Sequence, residues 1–206
     1  MTKFQNAQEY IALQRQAIAS NPECGTSHYN LGVALMGLKQ YSEAEAEFQE
    51  AISCSPTLAE AYVQLGGIRL QQGDLEGCLY YNKQSVKTRA GFAEGWGNVG
   101  FCQLQLGNLE EAIYALEKAV RWNKKFLQAR ATLANAYLMN GQVDESIAVS
   151  QKVLEQQPEF AVAHNNLAIA YIEKGHHDLA IEHCDKARDL GYDVAPQILA
   201  ELEKHR

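Results

Sequence analysis

Proline is rare in this chain. There are four in 206 residues, too few and too regularly placed to mark a flexible linker. No apolar run approaches the roughly 20 residues that a membrane-spanning helix needs. The opening MTKFQNAQEYIALQ lacks the apolar core of a signal peptide, so the expected location is cytoplasmic. A basic excess is also missing: 18 Lys and Arg stand against 25 Asp and Glu, a net charge of −7. That argues against nucleic-acid phosphates as the main partner, because binding them takes a clustered basic surface. The short basic spots KTRAG and RWNKK fall where second helices end, and there they complement the helix dipole. No C-x-x-C joins any of the five cysteines, so neither a zinc ribbon nor a thioredoxin-type site is signalled. Cys78 and Cys102 read as small buried hydrophobes in a reducing compartment. Neither a glycine-rich phosphate loop nor a nucleophile–base–oxyanion set is present, so no enzyme activity and no catalytic residue are expected.

What the chain does have is a period. The pairs Leu31-Gly32, Leu65-Gly66, Val99-Gly100, Leu133-Ala134 and Leu167-Ala168 are each 34 residues apart. Small residues keep step at Ala44, Cys78, Ala112, Ser146 and Ala180, and again at Ala17, Ala51, Ser85, Ala119, Val153 and Ala187. Gly73, Gly107, Gly141 and Gly175 mark a turn, with Lys39 in the earliest copy. Pro22, Pro56 and Pro158 end three of the units. Each unit reads as two short helices. Glycine at the turn reaches a backbone conformation other residues adopt only with strain, and proline cannot continue the second helix. The small residues let the two helices approach closely.

Trp96-x2-Val99-Gly100, and Ala44-x3-Phe48 followed by Pro56, resemble the tetratricopeptide repeat over Gly25 to Val194. The resemblance implies an all-α fold, a right-handed α-solenoid with a concave and a convex surface. It predicts one solenoid over residues 1–206. Full repeats run 25–58, 59–92, 93–126, 127–160 and 161–194, behind a half repeat or cap at 1–24 and ahead of a capping helix at 195–206. Phe4 to Ser20 is read as a lone second helix. Its unpartnered face is either a cap or a contact with another subunit, which leaves a homodimer open. Gly66-Gly67 is expected to soften its helix by about 1 kcal/mol per glycine relative to alanine, unless Gly67 makes room for a ligand backbone.

In this family the first helix of each pair lines the concave groove. Repeat position 6 there carries Asn30, Gln64, Asn98, Thr132 and Asn166, and Asn135 and Asn165 stand nearby at positions 9 and 5. An amide both donates and accepts, so such a column can bond the backbone of an extended peptide without reading its side chains. The column is similar to the asparagine ladder of O-linked N-acetylglucosamine transferase; the alternative is that the amides solvate an open groove. Tyr29, Val33 and Met36 are placed at one end of the groove and Ile169 and Ile172 at the other. Val63 and Phe101 fall in the middle with Glu60 and Glu94, and Leu104 and Leu138 there are expected to pack between helices. The carboxylate clamp of chaperone adaptors needs Lys and Arg at places held here by Thr26, Tyr29, Glu60, Gln64, Glu94 and Asn98, so its usual form is absent. Glu60 and Glu94 predict a neutral or basic segment.

His164, His176, His177, His183 and Cys184 gather in the last repeat, at spacings that fit no familiar metal site. His164 follows His28 by four periods, and both share a column with Trp96, which points to packing. The reading is therefore a non-catalytic adaptor that binds a protein or peptide, with no cofactor and no metal. A self-assembling structural protein and a metal or cofactor carrier are the competing classes.

Overall fold

In the computed structural model, which describes residues 7–206, every regular element among those residues is a helix. Helix α1 (Ala7–Ser20) comes first; the Phe4 end of the expected helix lies outside the described residues. Then follow α2 (Gly25–Gly37), α3 (Tyr41–Cys54), α4 (Ala59–Gln71), α5 (Leu75–Thr88), α6 (Ala93–Gln105) and α7 (Leu109–Trp122). After these come α8 (Leu127–Met139), α9 (Val143–Gln156), α10 (Ala161–Glu173), α11 (His177–Asp189) and α12 (Pro196–Glu203). The even-numbered helices α2 to α10 begin at the five positions the 34-residue period marks. No described helix is long and apolar enough to cross a membrane.

The turns explain the glycine column. Gly73, Gly107, Gly141 and Gly175 all sit at φ between 71 and 79°. At each turn the next residue donates its N–H back across the helix end, as Asp74 does to Arg69 O at 2.9 Å and His176 to Tyr171 O at 2.9 Å. This is the Schellman closure, which satisfies carbonyls the helix leaves open. Lys39 closes the earliest turn in the same way at φ 61°, the one non-glycine residue with positive φ among those described. Asp74 then caps α5 by accepting the Gly77 N–H at 2.8 Å. Asp74→Ala is expected to cost about 1 kcal/mol, read as a lower urea midpoint.

The described chain divides into two compact units, one ending at Cys102 and the other running Gln103–Arg206. In the first, α1 to α4 share a core of Ile11, Leu31, Leu35, Ala44, Phe48, Leu65 and Ile68. Phe48 is fully buried, and a Cβ at Gly32 would lie 2.7 Å from its ring, so the glycine of the Leu-Gly pair is there to admit the phenyl group. The equivalent Gly66 faces the amide of buried Asn82 instead. Helix α4 runs unbroken through Gly66 and Gly67, and the space beside Gly67 is open.

In the second unit, α10, α11 and α12 bury Ala168, Ala180, Cys184, Ala187, Val194 and Leu202. Pro196 occupies the first turn of α12, where its missing N–H costs nothing. Ile198 and Leu199 join Leu202 against this core, so α12 covers what would otherwise be an open apolar end.

One column ties second-helix ends to the next first helix. His28 Nε2 meets Pro22 O at 3.0 Å, Trp96 Nε1 donates to Ala90 O at 2.7 Å, and His164 Nε2 meets Pro158 O at 2.9 Å. Three different rings make the same bond to the carbonyl six residues upstream.

Candidate functional site

The first unit gathers most of the residues that sequence assigns to a groove. Tyr29 and Asn30 come from α2, Glu60 and Gln64 from α4, and Glu94, Asn98 and Phe101 from α6. Tyr29 is half-buried, with its ring centroid 5.8 Å from that of Phe48. Burial pushes its hydroxyl above the ordinary tyrosine range, the Glu60 and Glu94 carboxylates push it further, and a hydrogen bond with Gln64 works against them. Side chains from α4 and α6 therefore act on one phenol of α2.

Their charges are not equivalent. Glu60 is paired with Arg89 at 2.7 Å, and the Arg89 guanidinium lies 4.0 Å above the Phe92 ring. Both partners of that pair are substantially exposed, so the pair adds little stability, but it neutralises the Glu60 carboxylate. Glu94 is exposed and enters no ion pair among the described residues. Phe101 and Val33 are exposed too, at 36% and 42%. Val63, by contrast, is buried in the helix packing.

The amides of repeat position 6 fall into different environments. Asn30 is half-buried and has no hydrogen-bond partner among the described residues. Asn98 gives its Nδ2 to Asn82 Oδ1 at 3.0 Å, and Asn82 in turn bonds Cys78 O at 2.9 Å. In the second unit Thr132 bonds the Gln128 carbonyl of its own helix at 2.9 Å. Asn166 is 2% exposed and donates to Ala131 O at 2.9 Å, fastening α10 to α8. Asn135 is half-buried, with only a 3.8 Å contact to Met139 Sδ. Leu104 and Leu138 are buried, the packing role expected of them.

The histidines of the second unit form two pairs, one joined through its ring nitrogens and one stacked. His164 Nδ1 and His183 Nδ1 face each other at 2.8 Å, and Tyr171 stacks on His183 at 5.7 Å. Burial, then the nearby His164, lowers His183 to about 4. His177 and His205 stack with centroids 3.5 Å apart. They border an open depression of about 650 Å³ with Gly175, His176, Asp178 and Leu179. Among the described residues no group of three or more His, Cys, Asp or Glu side chains is arranged to hold a metal ion. In the first unit His28 sits in the same column as His164 but faces Glu47 at 2.7 Å.

Sequence profiles of the tetratricopeptide repeat match residues 3–59 and 131–193 with one profile and 103–149 with a second. No curated protein matches the chain. Among solved structures, YrrB, a TPR protein with an unusual peptide-binding site, is similar with a TM-score of 0.77. It is 22% identical, and the match covers 93% of this chain and 97% of that one. The pilF protein of Pseudomonas aeruginosa gives a TM-score of 0.81 at 15% identity, covering 98% and 90%. TTC0263, a thermophilic TPR protein of Thermus thermophilus, gives 0.61 at 23% identity, covering 88% and 96%. At these identities the likeness is one of fold.

Proposed function

Because the chain belongs to the tetratricopeptide repeat family, whose fold serves protein–protein interaction and whose members are typically non-catalytic, we propose that it is an adaptor holding a partner's peptide segment against α2, α4 and α6. The observation that carries this reading is the exposed apolar surface of Val33 on α2 and Phe101 on α6, accompanied by the half-buried Tyr29 hydroxyl that the Glu60 and Glu94 charges act on. Asn30 and Gln64 would bond the peptide backbone. Phe101 and Val33 would receive an apolar side chain, since exposed apolar surface beside fixed polar groups is what a binding site needs. YrrB has a peptide-binding site on a similar fold.

Asn98, Asn135 and Asn166 complete the ladder only in part. Asn98 offers its carbonyl and one N–H, the other N–H being given to Asn82. Asn166 is bonded to Ala131, and we assign it to helix packing. With Glu60 neutralised by Arg89, Glu94 carries the preference for a neutral or basic segment.

Fluorescence anisotropy with labelled peptides of one length, graded from net positive to net negative, tests this. The positive member is expected to bind about tenfold tighter than the negative one, and Glu94→Lys is expected to reverse the order. Asn30→Ala, which removes no hydrogen bond among the described residues, should weaken all members alike. Preference for the negative peptide, or indifference to Glu94→Lys, would refute the reading. Asn98→Ala and Asn166→Ala are unsuitable probes, because each removes a bond inside the fold.

A further inference from the structure

Two free thiols in the first unit stand face to face. Cys78 on α5 is 2% exposed, Cys102 on α6 is fully buried, and the Cys102 Sγ–H points at Cys78 Sγ across 3.2 Å. The corresponding two repeat positions elsewhere hold Ala44 and Ile68, Ala112 and Ala136, and Ser146 and Ala170. Packing at these positions therefore has no need of sulfur. A disulfide has an S–S distance of about 2.05 Å, so the two sulfurs need to close by only about 1.2 Å.

We infer that Cys78 and Cys102 are a redox-modification site, a dithiol that converts reversibly to a disulfide and fastens α5 to α6. The surroundings separate the roles of the two sulfurs. Cys78 Sγ receives hydrogen bonds from Cys102 and, at 3.5 Å, from Asn82 Nδ2. The bond from Cys102 leads in holding the Cys78 thiol below its ordinary range, while Cys102, as donor, is held above. Cys78 is thus the nucleophile and Cys102 the resolving thiol. With hydrogen peroxide as oxidant, the Cys78 thiolate attacks a peroxide oxygen. The O–O bond breaks, hydroxide leaves, and Cys78 becomes a sulfenic acid. Cys102 sulfur then attacks Cys78 sulfur, the S–O bond breaks, and the two thiol protons end in the two waters released.

Asn82 links the pair to the surface. Its Nδ2 bonds Cys78 and its Oδ1 accepts from Asn98, so drawing Cys78 towards Cys102 moves the partner of a groove amide. That last consequence rests on the proposed groove; the thiol chemistry does not.

The test takes the reduced full chain, dilute, with hydrogen peroxide, followed by denaturing alkylation, intact mass and peptide mapping. Three of the five cysteines are expected to alkylate after oxidation, against all five before. The protein should lose two hydrogens in mass, the cross-linked peptide should contain Cys78 and Cys102, and dithiothreitol should restore five thiols. Cys78→Ala and Cys102→Ala place at these positions the residue that the Ala112 and Ala136 pair already carries, and neither variant should form an intramolecular bond. Five thiols surviving peroxide, oxygen added at Cys78 without a cross-link, or a bond mapped to Cys24, Cys54 or Cys184 would each overturn the assignment.

Discussion

Phe48→Ala is expected to cost the first unit about 3–5 kcal/mol, the range for truncating a fully buried aromatic side chain. The ring is fully buried in a core cluster with Ile11, Leu31, Leu35, Ala44, Leu65 and Ile68, and lies against Gly32. Gly32 has no side chain to swing into the vacated space. The helices on either side are fixed by Schellman closures at Lys39 and Gly73, which limits how far they can collapse. A domain's whole stability is about 5–15 kcal/mol, so the loss is a large share of it. Urea unfolding followed by helical circular dichroism should show a lower midpoint at unchanged slope. Phe101→Ala serves as the control. Its ring is exposed, so the expected change is within about 0.5 kcal/mol. Equal effects of the two substitutions would contradict the burial that separates them.

The second large effect is a divergent response to acid. His28 bonds two acceptors, the Pro22 carbonyl through Nε2 and the Glu47 carboxylate through Nδ1, so both ring nitrogens carry protons. Burial alone would lower it, but the bonds to Glu47 and Pro22, with the Glu50 charge, outweigh burial and raise it above 6.5. A raised folded value contributes stability that is fully present below pH 6.5 and lost as pH climbs through the folded value. His183 behaves in the opposite sense. Its Nδ1 faces His164 Nδ1, and two imidazolium rings would aim N–H at N–H across 2.8 Å. Glu182 favours the charged form and Lys186 opposes it, but burial and His164 dominate and hold the folded value near 4. Its stabilisation is present above pH 6.5 and is lost as pH falls towards about 4. From pH 7.5 to 5 the first unit should therefore gain and the second lose, the latter by about 1–2 kcal/mol once solvent screening is allowed for. Hydrogen exchange resolved by peptide would display both trends. His183→Gln should flatten the second, Glu47→Gln should flatten the first, and parallel behaviour of the two units would sink the argument.

The fold was legible because its causes are local and repeat. A glycine every 34 residues marks a φ that L side chains resist, and Lys39 kept its place in that register while adopting the same φ. The site was less legible, because a repeat position fixes a face and not what opposes it. Asn30, Asn98 and Asn166 occupy one column. Asn98 nevertheless meets Asn82, where the neighbouring full repeats carry Phe48 and Leu116, and Asn166 reaches back 35 residues to Ala131. The facing of Cys78 and Cys102 was hidden for the same reason. Cys78 fits a small-residue column and Cys102 lies inside a first helix, and nothing in the register of the repeats says that these two positions meet.

The indole–carbonyl bond of Trp96 has a practical consequence. The chain contains two tryptophans, Trp96 half-buried in the first unit and Trp122 on the surface of the second, 56% exposed. An indole N–H held on the Ala90 carbonyl emits from a fixed, partly dry setting, whereas an indole already in water changes colour little when its helix melts. Intrinsic fluorescence will thus follow the first unit almost alone, giving the chain an unlabelled optical gauge of one unit's melting against the helical signal of both.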